Sequence, residues 1–238
     1  MSAVLQTSVE STAFFNLSGF SVRELNATLQ TLPADTNQTA WTILNPQGSH
    51  AIAVGITAQV AITIDGHAGY YCAGMNDGAV ITINGNVGTG VAENMMSGLV
   101  HVKGDASQSA GASAHGGLLI IEGNASARCG ISMKGVDIVV KGNVGHMGAF
   151  MAQSGNLVVC GDAGEALGDS LYEARIFVKG TVASLGADCE KKEMLEEDKL
   201  ILAELLKRAG ITDSLESFTR YGSARALYHF HVDNLGAY

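Results

Sequence analysis

The chain has few cations and no long apolar run, and each shortage excludes a class of protein. Its 238 residues include 14 Lys and Arg against 23 Asp and Glu, a formal net charge of -9. Because no basic stripe is available to neutralise phosphate, we expect neither nucleic acid nor an anionic membrane as a partner. No stretch approaches the roughly 18 apolar residues of a membrane helix, and the N-terminus has no basic segment followed by an apolar one. These absences predict a soluble, cytoplasmic protein.

Proline is equally scarce, with 2 residues, whereas glycine is abundant, with 30. Seven glycines, here called the ruler glycines, recur every 19 residues: Gly66, Gly85, Gly104, Gly123, Gly142, Gly161 and Gly180. The period is not three, which excludes collagen. A longer period this regular indicates a repeat protein whose units stack on their neighbours.

The residues around each ruler glycine repeat as well. Two positions before it every residue is β-branched: Ile64, Ile83, Val102, Ile121, Val140, Val159 and Val178. Four positions before it stands another apolar column: Ile62, Ile81, Val100, Leu119, Ile138, Leu157 and Ile176. Apolar residues two apart share one face of a strand. Directly after it comes a polar column: His67, Asn86, Asp105, Asn124, Asn143, Asp162 and Thr181. Because Gly, Asn and Asp tolerate left-handed backbone, this pair predicts a turn.

A unit of 19 residues is too short for a helix pair or a propeller blade, but it fits one coil of a parallel β-helix. Coils stacked about 4.8 Å apart would advance roughly 29 Å over seven repeats. Parallel crossovers are strongly right-handed. The sequence therefore predicts an all-β solenoid, a right-handed parallel β-helix of about seven coils over residues 43–189.

Short extensions flank the expected solenoid, at residues 1–42 and 190–238. Ser21 and Glu24 form a capping box that predicts a helix ending before Pro33. Residues 43–60 are expected to form an irregular first coil that caps the open end. Residues 190–209 predict an amphipathic helix closed by Gly210, against the flank or over the C-terminal edge, with its apolar side formed by Leu195, Leu200, Leu202, Leu205 and Leu206. From Tyr221 onward we expect a docking tail.

Several local patterns suggest a catalytic or ligand site, but each has a structural alternative that we favour. Two glycine clusters, Gly85, Gly88 and Gly90 and then Gly142, Gly145 and Gly148, resemble phosphate loops. They lack the Lys-Ser/Thr pair and the following helix that such loops need. His229 and His231 would share a face if extended, but two histidines alone are a weak metal signal. His67 and His146 lie about four coils, some 19 Å, apart.

The polar column after the ruler glycines could mark a carboxylate groove for a polysaccharide, but stacked side chains at a turn are the structural expectation. A sugar cleft would also need aromatic platforms, and Trp41, the only tryptophan, precedes the solenoid. We assign no catalytic, cofactor-binding or metal-binding residue to this chain.

The four cysteines predict free thiols in a reducing compartment. Cys72 and Cys129 are three repeats apart, so they share a column at roughly 14 Å and cannot bridge. Cys160 and Cys189 fall in other columns.

Methionines away from the expected core columns are candidate partner contacts, since methionine adapts to irregular surfaces. The candidates are Met95, Met96, Met147, Phe150 and Met151. Packing inside the coil is the open alternative for all five.

The Gly-x-x-Gly corners repeated at this period resemble the GXGXG domain of the large subunit of glutamate synthase, called glutamate synthase domain 3. More specific segments are similar to its stand-alone members, in particular the B subunit of N-methylglutamate synthase: His67–Gly78, Ala92–Gly98, Arg128–Gly135, Gly168–Arg175, Tyr221–Arg225 and Val232–Tyr238. The similarity covers nearly the whole chain.

This resemblance implies a hetero-oligomeric enzyme in which this chain is a non-catalytic scaffold. A class II glutamine amidotransferase-like subunit and an FMN-binding glutamate synthase-like subunit would carry the chemistry. FMN, and an iron–sulfur cluster where the complex has one, would then lie on a partner. In N-methylglutamate synthase the complex converts glutamate and methylamine to N-methylglutamate and ammonia, and the β-helix could wall the amine path.

Two other functions stay open. The same solenoid occurs in one of the non-catalytic chains of formylmethanofuran dehydrogenase and of formyltransferase/hydrolase-type complexes. A stand-alone β-helix enzyme, such as a lyase or acyltransferase, would be active as an isolated chain.

Overall fold

The computed structural model describes residues 12–33 and 35–225, and over these residues the chain is a parallel β-solenoid. The strands are β1 (Ala13–Asn16), β2 (Ala40–Leu44), β3 (Ala61–Asp65), β4 (Asp77–Ile83), β5 (Ser97–Val102), β6 (Leu118–Ile121), β7 (Lys134–Val140), β8 (Ser154–Val159), β9 (Arg175–Val178), β10 (Cys189–Lys192) and β11 (Thr219–Ser223). The helices are α1 (Val22–Gln30) and α2 (Glu196–Arg208), with a 3-10 turn at Leu215–Ser217. All eleven strands lie in one sheet, in the order β1 to β9, then β11, then β10.

The strand register follows the 19-residue period and confirms the solenoid of about seven coils. Ile62 pairs with Ile81, and Ile64 pairs with Ile83, in parallel register. The same pairing continues from β4 to β9. Both predicted apolar columns are buried along their whole length. A second ladder of isolated parallel bridges follows each corner, from Ala68 to Val182. The inward columns therefore form one continuous core.

The N-terminal end is closed by α1, as well as by the coil that follows β2. The Ser21 hydroxyl accepts the Glu24 N–H at 3.3 Å, and the Glu24 carboxylate accepts the Ser21 N–H at 2.7 Å, which confirms the capping box. Leu25 and Leu29 of α1 are buried in the core. The sheet also extends further than expected, because β1 pairs with β2 in parallel. The expected boundary at residues 42 and 43 falls inside β2.

The C-terminal end of the sheet is closed by an antiparallel hairpin that the sequence analysis missed. β11 pairs with β9, and β10 pairs with β11. Tyr221, where a docking tail was expected to begin, is instead paired with Ile176 inside the sheet. The remainder of that predicted tail, residues 226–238, lies outside the described residues.

Helix α2 covers the outer face of the later coils, which confirms its expected place on the flank. Its apolar side packs against outward side chains of four strands in a second hydrophobic cluster. The strand residues of this cluster are Leu118, Ile120, Val139, Val158 and Phe177, and those of the helix and the segment after it are Leu202, Leu205, Leu206, Ala209 and Phe218. Leu195 and Leu200 were expected on this side but are exposed, because Leu195 precedes the helix and Leu200 lies on its solvent side.

A buried carboxylate joins α2 to the sheet. Asp198 is completely buried, and its Oδ1 lies 3.0 Å from the Nε of Arg175 in β9 and 3.2 Å from the Nε of Arg220 in β11. Its Oδ2 accepts the Leu195 N–H at 3.1 Å at the start of the helix. Neither arginine contact is an aligned hydrogen bond, so both act through charge. Gly210, with φ of 68°, ends the helical segment as expected.

Candidate docking surface

The polar column after the ruler glycines forms a hydrogen-bonded ladder. The Asn86 side chain accepts the Asp105 backbone N–H at 2.9 Å, and the Asp105 side chain accepts the Asn124 N–H at 2.7 Å. The pattern begins at His67, whose Nδ1 accepts the Asn86 N–H, and continues to Thr181. The carboxylates are therefore used in joining coils, which favours the structural interpretation over a polysaccharide site.

The glycine clusters that resemble phosphate loops also use their N–H groups between coils. Gly88 N–H donates to Ala68 C=O at 3.0 Å, and Gly90 N–H donates to Gln108 C=O at 2.9 Å. In the second cluster, Gly145 N–H donates to Ala125 C=O. A Cβ on Gly88 would lie 2.6 Å from a backbone carbon of Gly69. These glycines permit close stacking of coils, and the N–H groups named here are not available to a phosphate.

Metal-ligating and nucleophilic side chains are dispersed. Within residues 12–33 and 35–225, no three His, Cys, Asp or Glu side chains form a group that could hold a metal. His229 and His231 lie outside the described residues. All four cysteines are free. Burial raises the pKa of Cys72 and Cys129 to about 12, and burial is also the main cause that raises the pKa of Cys160 and Cys189 to about 11. The thiols are therefore protonated at neutral pH and are poor nucleophiles.

A charged cluster lies on the outer face where three coils meet. The Glu122 carboxylate is 2.6 Å from His101 Nε2 and 2.7 Å from Lys141 Nζ, with Lys103 Nζ at 3.7 Å. Burial tends to raise the pKa of Glu122, but hydrogen bonds from Lys141 and His101 outweigh it and leave that pKa below its usual value. These contacts link successive coils as an ion-pair network. None of the grooves described for this protein includes these four residues.

The five candidate contact residues have different positions. Met95 is completely buried, so it belongs to the core and is not a partner contact. Met147 and Phe150 are partly buried. Met96 and Met151 are exposed, by 48% and 45%. Two of the five therefore remain as candidates on a free surface.

Each exposed methionine has an apolar neighbour in the adjacent coil, and the two pairs have the same geometry. In the N-terminal patch, Met96 N–H donates to the carbonyl of Asn76, the residue after Met75. In the C-terminal patch, Tyr172 N–H donates to the carbonyl of Ala152, the residue after Met151. These bonds are 2.8 and 2.9 Å long. Met75 is 45% exposed and Tyr172 50% exposed. Each patch thus consists of two exposed apolar side chains on neighbouring coils.

The two patches occupy the same columns of the solenoid. Met75 and Met151 both stand nine positions after a ruler glycine, and Met96 and Tyr172 both stand eleven positions after one. The patches are therefore four coils apart, which is about 19 Å along the axis. The hydrogen bonds between coils hold this separation fixed.

The backbone at Met75 and Met151 argues for a function. Both residues have left-handed backbone, with φ of 52° and 55°. Four other coils have Asn or Ser at this position: Asn94, Ser113, Ser132 and Ser170. Left-handed backbone costs an ordinary side chain of the order of 1 kcal/mol, and these methionines recover little of it through burial. A residue that opposes the local preference without a packing gain is a candidate functional residue.

Met75 and Tyr172 were missed as candidates, although the aligned repeats contain the signal for Met75. Methionine interrupts a column that otherwise holds mainly small polar residues, and this is visible once the coils are superimposed by their glycines. Tyr172 occupies a column with no consistent residue type, from Asp77 to Gln153, so the sequence offers no comparable signal for it.

Comparison with known proteins places the chain among close relatives. No protein-family model matches it. A curated relative, Protein GlxC of Rhizobium meliloti (strain 1021), is 59% identical over 218 residues, which cover 91% of this chain and 96% of the relative. The similarity therefore includes the solenoid, and this chain belongs to the same family as Protein GlxC.

Proposed function

We propose that the chain is the non-catalytic scaffold subunit of a glutamate synthase-like, FMN-dependent complex, with N-methylglutamate synthase as its specific form. In this proposal it binds a class II glutamine amidotransferase-like subunit and an FMN-binding glutamate synthase-like subunit. The complex transfers methylamine onto glutamate and releases ammonia. The solenoid holds the two partners at a set distance and walls part of the amine path.

The observation that carries the scaffold role is the pair of apolar patches on one rigid face. A monomeric domain has no need of exposed methionines in left-handed backbone, whereas a partner surface benefits from an adaptable apolar contact. Two such contacts at about 19 Å suit either one elongated partner or two adjacent ones. The segments that resemble glutamate synthase domain 3 supply the identity of the partners, and the parallel solenoid is the fold that this resemblance implies.

The test is purification of the tagged chain from its own cell, with the copurifying proteins identified by mass spectrometry. We expect an amidotransferase-like subunit and an FMN-binding synthase-like subunit in stoichiometric amounts. The double variant Met75→Ser and Met96→Ser should reduce their recovery at least about fivefold without loss of stability, because serine already occupies the equivalent of Met75 in three other coils. Leu200→Ser, which changes an equally exposed residue on α2, is the matched control.

Other partners would identify another function. Recovery of a hydrolase with a molybdenum- or tungsten-containing subunit would contradict the glutamate synthase proposal and favour the formylmethanofuran dehydrogenase alternative. Recovery of the chain alone, with enzyme activity in the isolated protein, would contradict the scaffold role itself.

A further inference from the structure

The N-terminal edge of the sheet is open. β1 is the first strand in the sheet and pairs only with β2 among the described strands. Leu17 N–H donates to Leu44 C=O at 3.0 Å. In a parallel pair the residues that face the partner alternate, so Phe15 and Leu17 direct their backbone groups towards β2 and Phe14 directs its N–H and C=O away from it. Phe14 therefore presents a donor and an acceptor to an incoming strand.

This edge is also apolar. Phe14 is 68% exposed and Phe20 is 57% exposed. The four residues of β1, Ala-Phe-Phe-Asn, carry no charge. Proteins usually protect edge strands with charged side chains, proline or a covering element. Helix α1 covers the core at this end through Leu25 and Leu29, and β1 still lies at the edge of the sheet.

The opposite end of the same sheet has the protection that β1 lacks. β10 is the C-terminal edge strand, and its sequence Cys-Glu-Lys-Lys has three charged residues in four. An antiparallel hairpin also changes the strand direction there. The contrast indicates that association is prevented at one end and permitted at the other.

We propose that β1 is the site at which a second copy of this chain associates, head to head about a two-fold axis. The charge distribution favours a second copy over docking along the sides. Residues 12–60 contain three charged side chains, Arg23, Glu24 and Asp35, whereas the whole chain carries a net charge of -9. Two copies that meet at this end therefore keep most of their like charges apart. This inference does not depend on the proposed scaffold function.

A two-fold axis through Phe14 gives a specific register. Phe14 then faces its own copy in an antiparallel pair, and the two residues exchange both hydrogen bonds with Cα atoms about 5.5 Å apart. Asn16 N–H of each chain lies opposite the Thr12 carbonyl of the other. The two Phe14 rings project on the same face of the joined sheet, where cross-strand aromatic pairs stabilise the pairing. Such an interface is isologous and closes at a dimer.

The test is sedimentation velocity of the full chain over a range of concentrations. We expect a species of twice 24.6 kDa. Phe14→Lys places a charge on the edge strand and should raise the dimer dissociation constant at least about tenfold. Leu200→Lys alters a similarly exposed residue on α2 and should leave the dimer unchanged. Circular dichroism and the thermal midpoint should show that both variants are folded.

Cysteine cross-linking locates the contact. A Cα separation of about 5.5 Å suits a disulfide, so Phe14→Cys should form a covalent dimer on oxidation while Leu200→Cys should not. A wild-type chain that sediments as a monomer at tens of micromolar would overturn the proposal, whether residues 1–11 or another protein then covers the edge. A dimer that is insensitive to Phe14→Lys and does not cross-link through Phe14→Cys would overturn it as well.

Discussion

Five of the ruler glycines lie directly over the polar side chain of the coil before them. A Cβ on Gly104 would lie 2.1 Å from Asn86 Oδ1, and the same contact recurs at Gly123, Gly142, Gly161 and Gly180. The expected reason for these glycines, left-handed backbone, is wrong for them, because their φ values are not in that region. The glycine is required by the space that the ladder occupies. The period of the glycines and the period of the polar column therefore have one cause.

Gly104→Ala should lower the free energy of unfolding by about 2 to 3 kcal/mol, because the new methyl group displaces the Asn86 side chain and approaches the Gly85 backbone. Urea unfolding measures the loss. Gly19→Ala, where a Cβ meets nothing within 4 Å, is the control and should be near neutral. If Asn86→Ala relieves none of the Gly104→Ala defect in a double-mutant cycle, the ladder is not the cause of the glycine.

Asp162 predicts a pH dependence at the C-terminal end of the ladder. Its carboxylate accepts the Thr181 backbone N–H at 2.7 Å and the Thr181 hydroxyl at 2.9 Å, and these bonds, the first above all, lower the pKa of Asp162. Because the folded-state pKa lies below the unfolded value of about 3.9, this stabilisation is complete above that pH and is lost as the pH falls through the folded-state pKa. Asp162→Asn keeps an acceptor but cannot titrate, so the urea midpoint of the variant should fall less than that of the wild type between about pH 5 and pH 3. Identical pH profiles would contradict this assignment.

Helix α2 is placed by a pattern in the strands it covers. β3 and β4 alternate apolar and polar residues, as in Ile62-Thr63-Ile64, whereas later strands are apolar on both faces, as in Leu157-Val158-Val159. Strands buried on both faces have continuous apolar runs. The change of pattern begins at β6, where the second hydrophobic cluster begins. The sequence thus contains the position of α2, although the helix itself gives only its own apolar side.

Asp198→Asn should destabilise the attachment of α2. The substitution removes the charge that lies between Arg175 and Arg220, and the expected cost is about 3 kcal/mol, low in the range for a broken buried pair because both guanidinium groups retain some solvent contact. Hydrogen exchange should become faster in α2 and in β11 and remain slow in β3 to β5. Glu197→Gln removes the exposed partner of Arg175 and should cost less than about 1 kcal/mol. Equal effects of the two variants would show that burial of Asp198 has no special role.

The elements that could be predicted are those that repeat or carry a cap. The inward columns of β3 to β9 repeat seven times, and the helix from Val22 has a capping box, so both are visible in one sequence. β1 and the hairpin of β10 and β11 are strands of four or five residues that occur once, and their pairing depends on tertiary contacts that no local pattern specifies. The orientation of Met95 and Met96 could not be predicted for a related reason. They lie next to a corner with left-handed residues at alternate positions, where neither helical nor strand periodicity applies.

The solenoid as a whole behaves as a stack of interchangeable coils, and its length can therefore be changed by whole coils. Removal of residues 97–115 joins Met96 to Gly116 and keeps every column in register. We expect this shortened chain to fold, because each coil contacts only its neighbours. Removal of residues 98–115, one residue fewer, shifts the following columns by one position and should prevent folding. Circular dichroism and thermal unfolding distinguish the two. A folded 98–115 deletion would show that the register is not specified by the inward columns.

The ladder of polar side chains has a direction. At every step from His67 to Asp162 the acceptor is a side chain of the earlier coil and the donor is a backbone N–H of the later one. During synthesis the earlier coil leaves the ribosome first. Each new coil consequently meets a template that is already complete, and it can be added without waiting for any residue still to be translated. The protein can grow by vectorial addition from its N-terminal cap, in the order in which it is made.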